Sequence, residues 1–180
     1  MSGQRAVFLD RDGVINQAIV RGGKPYPPAN VDELVMQADA PAALQTLKQA
    51  GFLLLVVTNQ PDIARGKQTL AAVEAIHQAL QKALPLDDFF LCPHDDRDHC
   101  ACRKPRPGLL LMGAAKYQVD LSRSFMVGDR WRDVEAGKAA GCRTFLVEMG
   151  YREALKTAPD RVVADLGEAV RVILSAEPQR

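Results

Sequence analysis

The 180-residue sequence has no apolar run near the ~20 residues needed to cross a bilayer. Its opening, MSGQRAVFLD, lacks the long apolar stretch of a secretory signal and enters a strand-like segment almost at once. Neither charge sign is in excess: 23 Lys and Arg stand against 22 Asp and Glu, and the net charge is +1. Aromatic residues amount to only 6%. A basic, aromatic-rich nucleic-acid surface or a polybasic membrane-binding face is therefore not expected. Internal repeats and low-complexity tracts are absent, so a solenoid is not expected. Cysteine is scarce, with four residues. Three of them cluster with histidines, so they read as metal ligands rather than disulfides, and a reducing cytoplasm is the expected location.

What is present is an alternation of short apolar runs with segments of helical period. AVFLD (Ala6 to Asp10), FLLLVVT (Phe52 to Thr58), SFMVGD (Ser124 to Asp129) and RTFLVE (Arg143 to Glu148) read as buried strands. DDFFLC (Asp87 to Cys92) and VVAD near Val162 are weaker candidates. Helices are expected over Pro41–Ala50, from Thr69 through Leu84, and over Leu109–Tyr117, Arg132–Ala140 and Leu166–Leu174. In the second of these, Leu70, Val73, Ile76, Leu80 and Leu84 form the apolar stripe, and His77 is expected at the surface. Cys142 reads as a buried small residue. The pattern predicts an α/β fold: a Rossmann-like parallel sheet with helices on both faces. The chain reads as one domain over 1–180, with no separate cap domain. It carries a loop over 17–34 and a second over 92–104.

In such a fold the active site lies outside the carboxyl ends of the strands. Asp10 and Asp12 follow the first strand, Thr58 and Asn59 end another, Asp129 ends a third, and Arg103 and Lys104 lie beyond the cysteine-rich loop. In FLDRDGVIN, Asp10 can attack a phosphoryl group while Asp12, two residues on, protonates the leaving oxygen and later activates water. Gly13 permits the sharp backbone turn that such a site needs. Adjacent carboxylates need a cation, and an all-oxygen site suits Mg²⁺. Asp129 is the natural third ligand, and Asp133, one helical turn on, is placed to brace it. Thr58 contributes a hydroxyl donor, Asn59 an amide and Lys104 a compact positive charge, the parts that phosphoryl transfer requires.

Within CPHDDRDHCACRKPRPG, Cys92, His94, Cys100 and Cys102 supply a complete tetrahedral Cys₃His set. A closed sphere leaves no position for substrate, so Zn²⁺ is expected as a structural clip that aims Arg103 and Lys104. His99 is a rival ligand, with the softer thiolate of Cys100 preferred.

Together, DRDGVIN, VVTNQPDIARG, the cysteine loop with its lysine, and VGDRWRDVEAG resemble the haloacid dehalogenase superfamily. More narrowly, they resemble its heptose-bisphosphate phosphatase branch, with histidinol-phosphate phosphatases as close cousins. The resemblance runs from Ala6 to about Tyr151. It implies Asp10 as nucleophile, Asp12 as general acid/base, and Thr58 and Lys104 as the phosphoryl grip. Mg²⁺ would be held by Asp10, the backbone carbonyl of Asp12, and Asp129. Asn59, Gln60, Arg103 and Arg130 are implied as substrate contacts. The expected reaction is removal of the C7 phosphate from a heptose 1,7-bisphosphate, a small-molecule substrate requiring neither nucleic acid nor membrane, by a monomer in preference to an oligomer.

Histidinol phosphate and, more remotely, nucleotides stay open as substrates. The non-enzyme alternatives are a phospho-accepting receiver domain and a zinc interaction module. The loop QAIVRGGKPYPPANVDE is longer and richer in Pro and Gly than the branch pattern, and Arg21, Lys24 and Tyr26 are its candidate substrate contacts. Its GGK is too short for a nucleotide-binding P-loop.

Overall fold

A computed structural model describes residues 3–151 and 153–176. Six strands form one sheet: Ala6–Leu9 (β1), Leu53–Asn59 (β4), Asp88–Cys92 (β5), Phe125–Gly128 (β6), Arg143–Val147 (β7) and Arg161–Val163 (β8). Their order across the sheet is β5-β4-β1-β6-β7-β8. All pairings are parallel; Phe8, for example, lies opposite Leu55 on one side and Met126 on the other. Every carboxyl end therefore opens onto one edge.

Helices α1 (Ala40–Gln49), α2 (Leu70–Ala83), α3 (Gly108–Tyr117), α4 (Trp131–Ala140) and α5 (Leu166–Ser175) cover the two faces. The alternation along β1 shows why the strands read as continuous apolar runs. Val7 and Leu9 pack with Leu44, Leu47, Ile76, Leu80 and Ile173 on one face. Ala6 and Phe8 pack with Leu109, Leu110, Met126 and Ala136 on the other. Burying such a leucine or phenylalanine contributes about 1.5–3 kcal/mol. Local signals set the helix starts. Thr69 Oγ1 accepts from Ala72 N at 3.1 Å to open α2, and Asp165 Oδ1 accepts from Glu168 N at 2.7 Å to open α5.

Two expectations on α2 are corrected. His77 is buried, at 8% exposure, whereas Leu70 is 45% exposed. His77 lies four residues after Val73 and three before Leu80, squarely on the inward face, while Leu70 is the first residue of the helix and is not among its buried residues. Cys142 is buried as expected.

The 17–34 segment contains a small antiparallel hairpin, β2 (Ile19–Arg21) and β3 (Lys24–Tyr26), turned by Gly22 and Gly23. It stands apart from the main sheet and is tied down where Gln68 Nε2 donates to Pro28 O at 2.9 Å. Among the described residues no helix is long and apolar enough to cross a membrane.

Candidate active site

Asp10 sits one residue past β1, its amide donating to Val127 O at 2.9 Å. The chain then turns through Gly13, whose φ of +93° is left-handed. A Cβ there would stand 1.9 Å from Asp129 Oδ2, so the absence of a side chain lets the two strand-end segments close on each other.

Lys104 is 2% exposed and uses all three of its N–H bonds. It donates to Asp10 Oδ1 at 2.8 Å, Asp133 Oδ1 at 2.6 Å and Val57 O at 2.8 Å. Burial pulls its pKa down, but Asp10 and Asp133 outweigh that and hold it above the ordinary lysine range. For Asp10 burial wins: it pushes the carboxyl up to about 6 against the pull of Lys104, with repulsion from Asp133 adding to it.

Asp129 stands higher still, raised well above the carboxylate range by burial and then by repulsion from Asp10 and Asp133. Both of its oxygens are buried without a hydrogen-bond partner. The Tyr151 hydroxyl faces the same carboxylate but is itself outside hydrogen-bond geometry. Ligand oxygens of Asp10, Asp129 and Asp133 lie within 4.8 Å of one another. A buried carboxylate with no donor from the protein is what a hard divalent cation would satisfy, so the residues fit Mg²⁺.

Asp133 does not brace Asp129. It accepts from Lys104 Nζ with one oxygen and from Arg130 N, at 3.0 Å, with the other. Gly128 lets it pack in: a Cβ there would meet Asp133 Cβ at 2.2 Å. The remaining predicted residues divide between cleft wall and support. A cleft of about 340 Å³ is lined by Asp10, Asp12, Asn59, Arg103, Lys104, Asp129 and Arg130, together with Lys24 and Tyr26 from the hairpin. Arg21 is not among its lining residues. Asn59 closes a two-bond clamp on the backbone of Lys104, donating to its carbonyl at 2.9 Å and accepting from its amide at 3.1 Å. Gln60 is fully buried rather than in the cleft; its Nε2 donates to Asp12 Oδ2 at 2.8 Å and Thr58 Oγ1 at 2.9 Å. Thr58, 1% exposed, is likewise set behind the cleft wall.

The cysteine loop closes on itself. Cys92, His94, Cys100 and Cys102 bring their ligand atoms together, with His99 outside the quartet. Cys102 Sγ lies 3.1 Å from Cys92 Sγ, 3.5 Å from Cys100 Sγ and 3.4 Å from His94 Nδ1. Zn–S bonds of about 2.3 Å at tetrahedral angles set sulfurs roughly 3.8 Å apart, so three thiolates and an imidazole nitrogen at this spacing fit zinc with a small expansion. The chain leaves Cys102 directly into Arg103, which donates to His94 O at 3.2 Å and Asp96 Oδ1 at 2.8 Å.

Sequence reasoning passed over several contributors. Arg132 donates to Lys104 O at 3.3 Å and pairs with Asp96 at 3.1 Å; Arg65 pairs with Asp95 at 2.8 Å. Arg132 follows Asp129 by three residues, the only sequence signal that it shares the site. Arg11, between the two acidic residues, carried no signal beyond its position.

The parallel sheet thus gathers Asp10, Asp129 and Asp133 around the buried Lys104 at one edge. A HAD-hydrolase-like family model matches residues 101–169. The D-glycero-β-D-manno-heptose-1,7-bisphosphate 7-phosphatase of Escherichia coli K12 is 38% identical over 184 aligned residues, covering 92% of this chain and 93% of that protein. The enzyme of that name from Bordetella bronchiseptica is 38% identical over 81% of this chain and 82% of its own length. A crystal structure of the D,D-heptose 1,7-bisphosphate phosphatase from B. bronchiseptica, complexed with magnesium and phosphate, superposes with a TM-score of 0.84. It is 34% identical and covers 97% of this chain and 100% of that one. The chain belongs to the HAD-like hydrolases, in the family of these phosphatases, and is a phosphatase.

Proposed function

We propose that the protein is a Mg²⁺-dependent monoesterase that removes the C7 phosphate of D-glycero-β-D-manno-heptose 1,7-bisphosphate through an aspartyl-phosphate. The observation that carries this is the buried Lys104–Asp10 contact of 2.8 Å beside Asp129, whose carboxylate lacks a protein donor. Asp10 Oδ would attack phosphorus as the bond from phosphorus to the C7 oxygen breaks, and Asp12 would give that oxygen its proton. Asp12 would then take a proton from the water that cleaves the acyl phosphate, releasing phosphate and regenerating Asp10. Lys104 offsets the negative charge that builds on the transferring group. Mg²⁺, held by Asp10, Asp129 and the Asp12 carbonyl, would neutralise further charge and make ionised Asp10 and Asp129 compatible.

Zn²⁺ at Cys92, His94, Cys100 and Cys102 would hold the loop that delivers Arg103 and Lys104. Thr58, set behind the cleft wall, would support the phosphoryl site indirectly, accepting from the Gln60 amide that also holds Asp12. Around the acidic centre, Lys24, Arg103, Arg130 and Arg132 line the cleft, Arg103 and Arg132 paired with Asp96 and Arg130 with Glu153, and a second phosphate on the substrate would compete for these cations. We read 1–180 as one catalytic domain with two loop insertions, acting as a cytoplasmic monomer in the supply of activated heptose.

A panel of kcat/KM values with Mg²⁺ tests the substrate assignment, using both anomers of the heptose bisphosphate, histidinol phosphate and simple sugar monophosphates. The β-bisphosphate should lead by at least tenfold. Equal or faster turnover of histidinol phosphate or the monophosphates would overturn it.

A further inference from the structure

Arg11 lies between the two acidic residues of DRD and is 0% exposed, among the largest fully buried side chains of the described residues. A guanidinium removed from water must be paired and hydrogen-bonded to be tolerated. Its Nε donates to Asp12 Oδ1 at 3.1 Å, and its Nη2 reaches Oδ1 at 2.9 Å and Oδ2 at 3.0 Å. Its Nη1 points the other way, 3.2 Å from His77 Nε2. The His77 ring is stacked on Phe89, with centroids 4.5 Å apart and planes 19° from parallel, so it cannot swing aside freely. Burial, then the Arg11 charge, lowers the His77 pKa to about 4, so a neutral ring presents Nε2 as acceptor. Asn16 Nδ2 at 2.9 Å and Gln60 Nε2 at 2.8 Å complete the surroundings of the Asp12 carboxylate.

Every one of these partners of Asp12 is a donor. A proton carried by Asp12 therefore has no acceptor among them and must lie on the side of the carboxyl that faces the cleft. The planar guanidinium fixes the plane of the carboxyl by touching both oxygens. We propose that Arg11 is the positioning residue for Asp12, and that His77, by engaging Nη1, holds the guanidinium in the orientation that aims the Asp12 proton at the leaving oxygen. This rests on the acid/base role proposed for Asp12. It gives a purpose to a buried histidine on α2 that touches neither phosphate nor metal ligands.

The test separates leaving groups. An alkoxide departs from phosphorus only with a proton, whereas 2,4-dinitrophenolate departs unaided. The ratio of kcat/KM for a sugar phosphate to that for 2,4-dinitrophenyl phosphate, measured on Mg²⁺-loaded enzyme, reads the delivery of that proton. D12N should lower the ratio most. R11M should lower it at least tenfold, and H77F, which keeps an aromatic ring against Phe89 but removes the acceptor, should lower it severalfold. H77Q, which restores an acceptor near Nε2, should return the ratio toward the parent value. A merely structural role would reduce both substrates together and leave the ratio fixed. If D12N itself leaves the ratio unmoved, the acid assignment fails. If D12N lowers it but folded R11M and H77F do not, the positioning role is overturned while the acid assignment stands. Should R11M not fold, the H77F and H77Q pair decides alone.

Discussion

Lys104 Nζ meets Asp10 Oδ1 at 2.8 Å across 94 positions of sequence, and the same nitrogen holds Asp133 at 2.6 Å. One buried cation thus organises two carboxylates that would otherwise repel. In K104M both lose their counter-charge inside a low-dielectric site. We expect kcat to fall on the order of 10²-fold or more. Metal-free stability should fall by about 3 kcal/mol, as for a broken buried pair. Steady-state assays and urea unfolding check both; a folded K104M retaining a tenth of parental kcat would contradict the role given to this lysine.

Gly13→Ala addresses the metal centre without replacing a ligand. The added methyl would collide with Asp129 Oδ2 at 1.9 Å, on a backbone with φ of +93° that alanine resists. The Mg²⁺ concentration for half-maximal activity should rise at least about tenfold, because the displaced carboxylate is the one with no other partner. A magnesium titration of activity settles it, and an unchanged midpoint would place the cation elsewhere.

Removing zinc should act at a distance. With Cys102→Ser, or after chelation verified by metal analysis, the step from Cys102 to Arg103 loses its anchor while β1 and β6 are untouched. The thermal midpoint should drop, KM should rise, and kcat should fall through the displaced Lys104. Protein with less than a tenth equivalent of zinc and unaltered kcat/KM would show that the loop stands without its clip.

His77 makes a pH prediction. Its pKa is depressed in the fold to about 4 from an ordinary 6.5, so between those values the unfolded chain binds the extra proton. Stability therefore rises with pH across that window and is lost as pH falls from 6.5 toward 4. The contribution is on the order of 3 kcal/mol. Urea midpoints at pH 7.5 and pH 5 should differ less in H77F than in the parent protein. Equal differences would mean that the ring is not held neutral.

The strands were legible because two-sided burial demands unbroken apolar runs, and the strand-end acids because a parallel sheet gathers its carboxyl ends. The Cys₃His quartet was legible from spacing together with the preference for the Cys100 thiolate over His99. What sequence hid was partnership. Asp133 reads as a neighbour of Asp129 by helical register, yet it bonds to Lys104, which the topology brings in from a distant loop. The family resemblance implies Gln60 as a substrate contact, but successive residues leaving a strand point opposite ways, and its amide turns inward to Asp12 and Thr58. His77 occupied a core position by period; its polar ring masked the signal until Arg11 supplied the partner. The hairpin carried its own sign, a Gly–Gly pair between β-branched and aromatic residues, set against Pro25 within the second strand.

The order β5-β4-β1-β6-β7-β8 has a consequence for how the enzyme fails. Asp10 comes after an interior strand hydrogen-bonded on both sides, whose amides should be among the slowest to exchange with solvent. The lysine, by contrast, arrives by way of β5, an outermost strand. Heat that peels this margin from the sheet withdraws the positive charge while the central aspartates keep their places. Inactivation should then run ahead of unfolding, leaving a folded protein with an acidic centre stripped of its ammonium group.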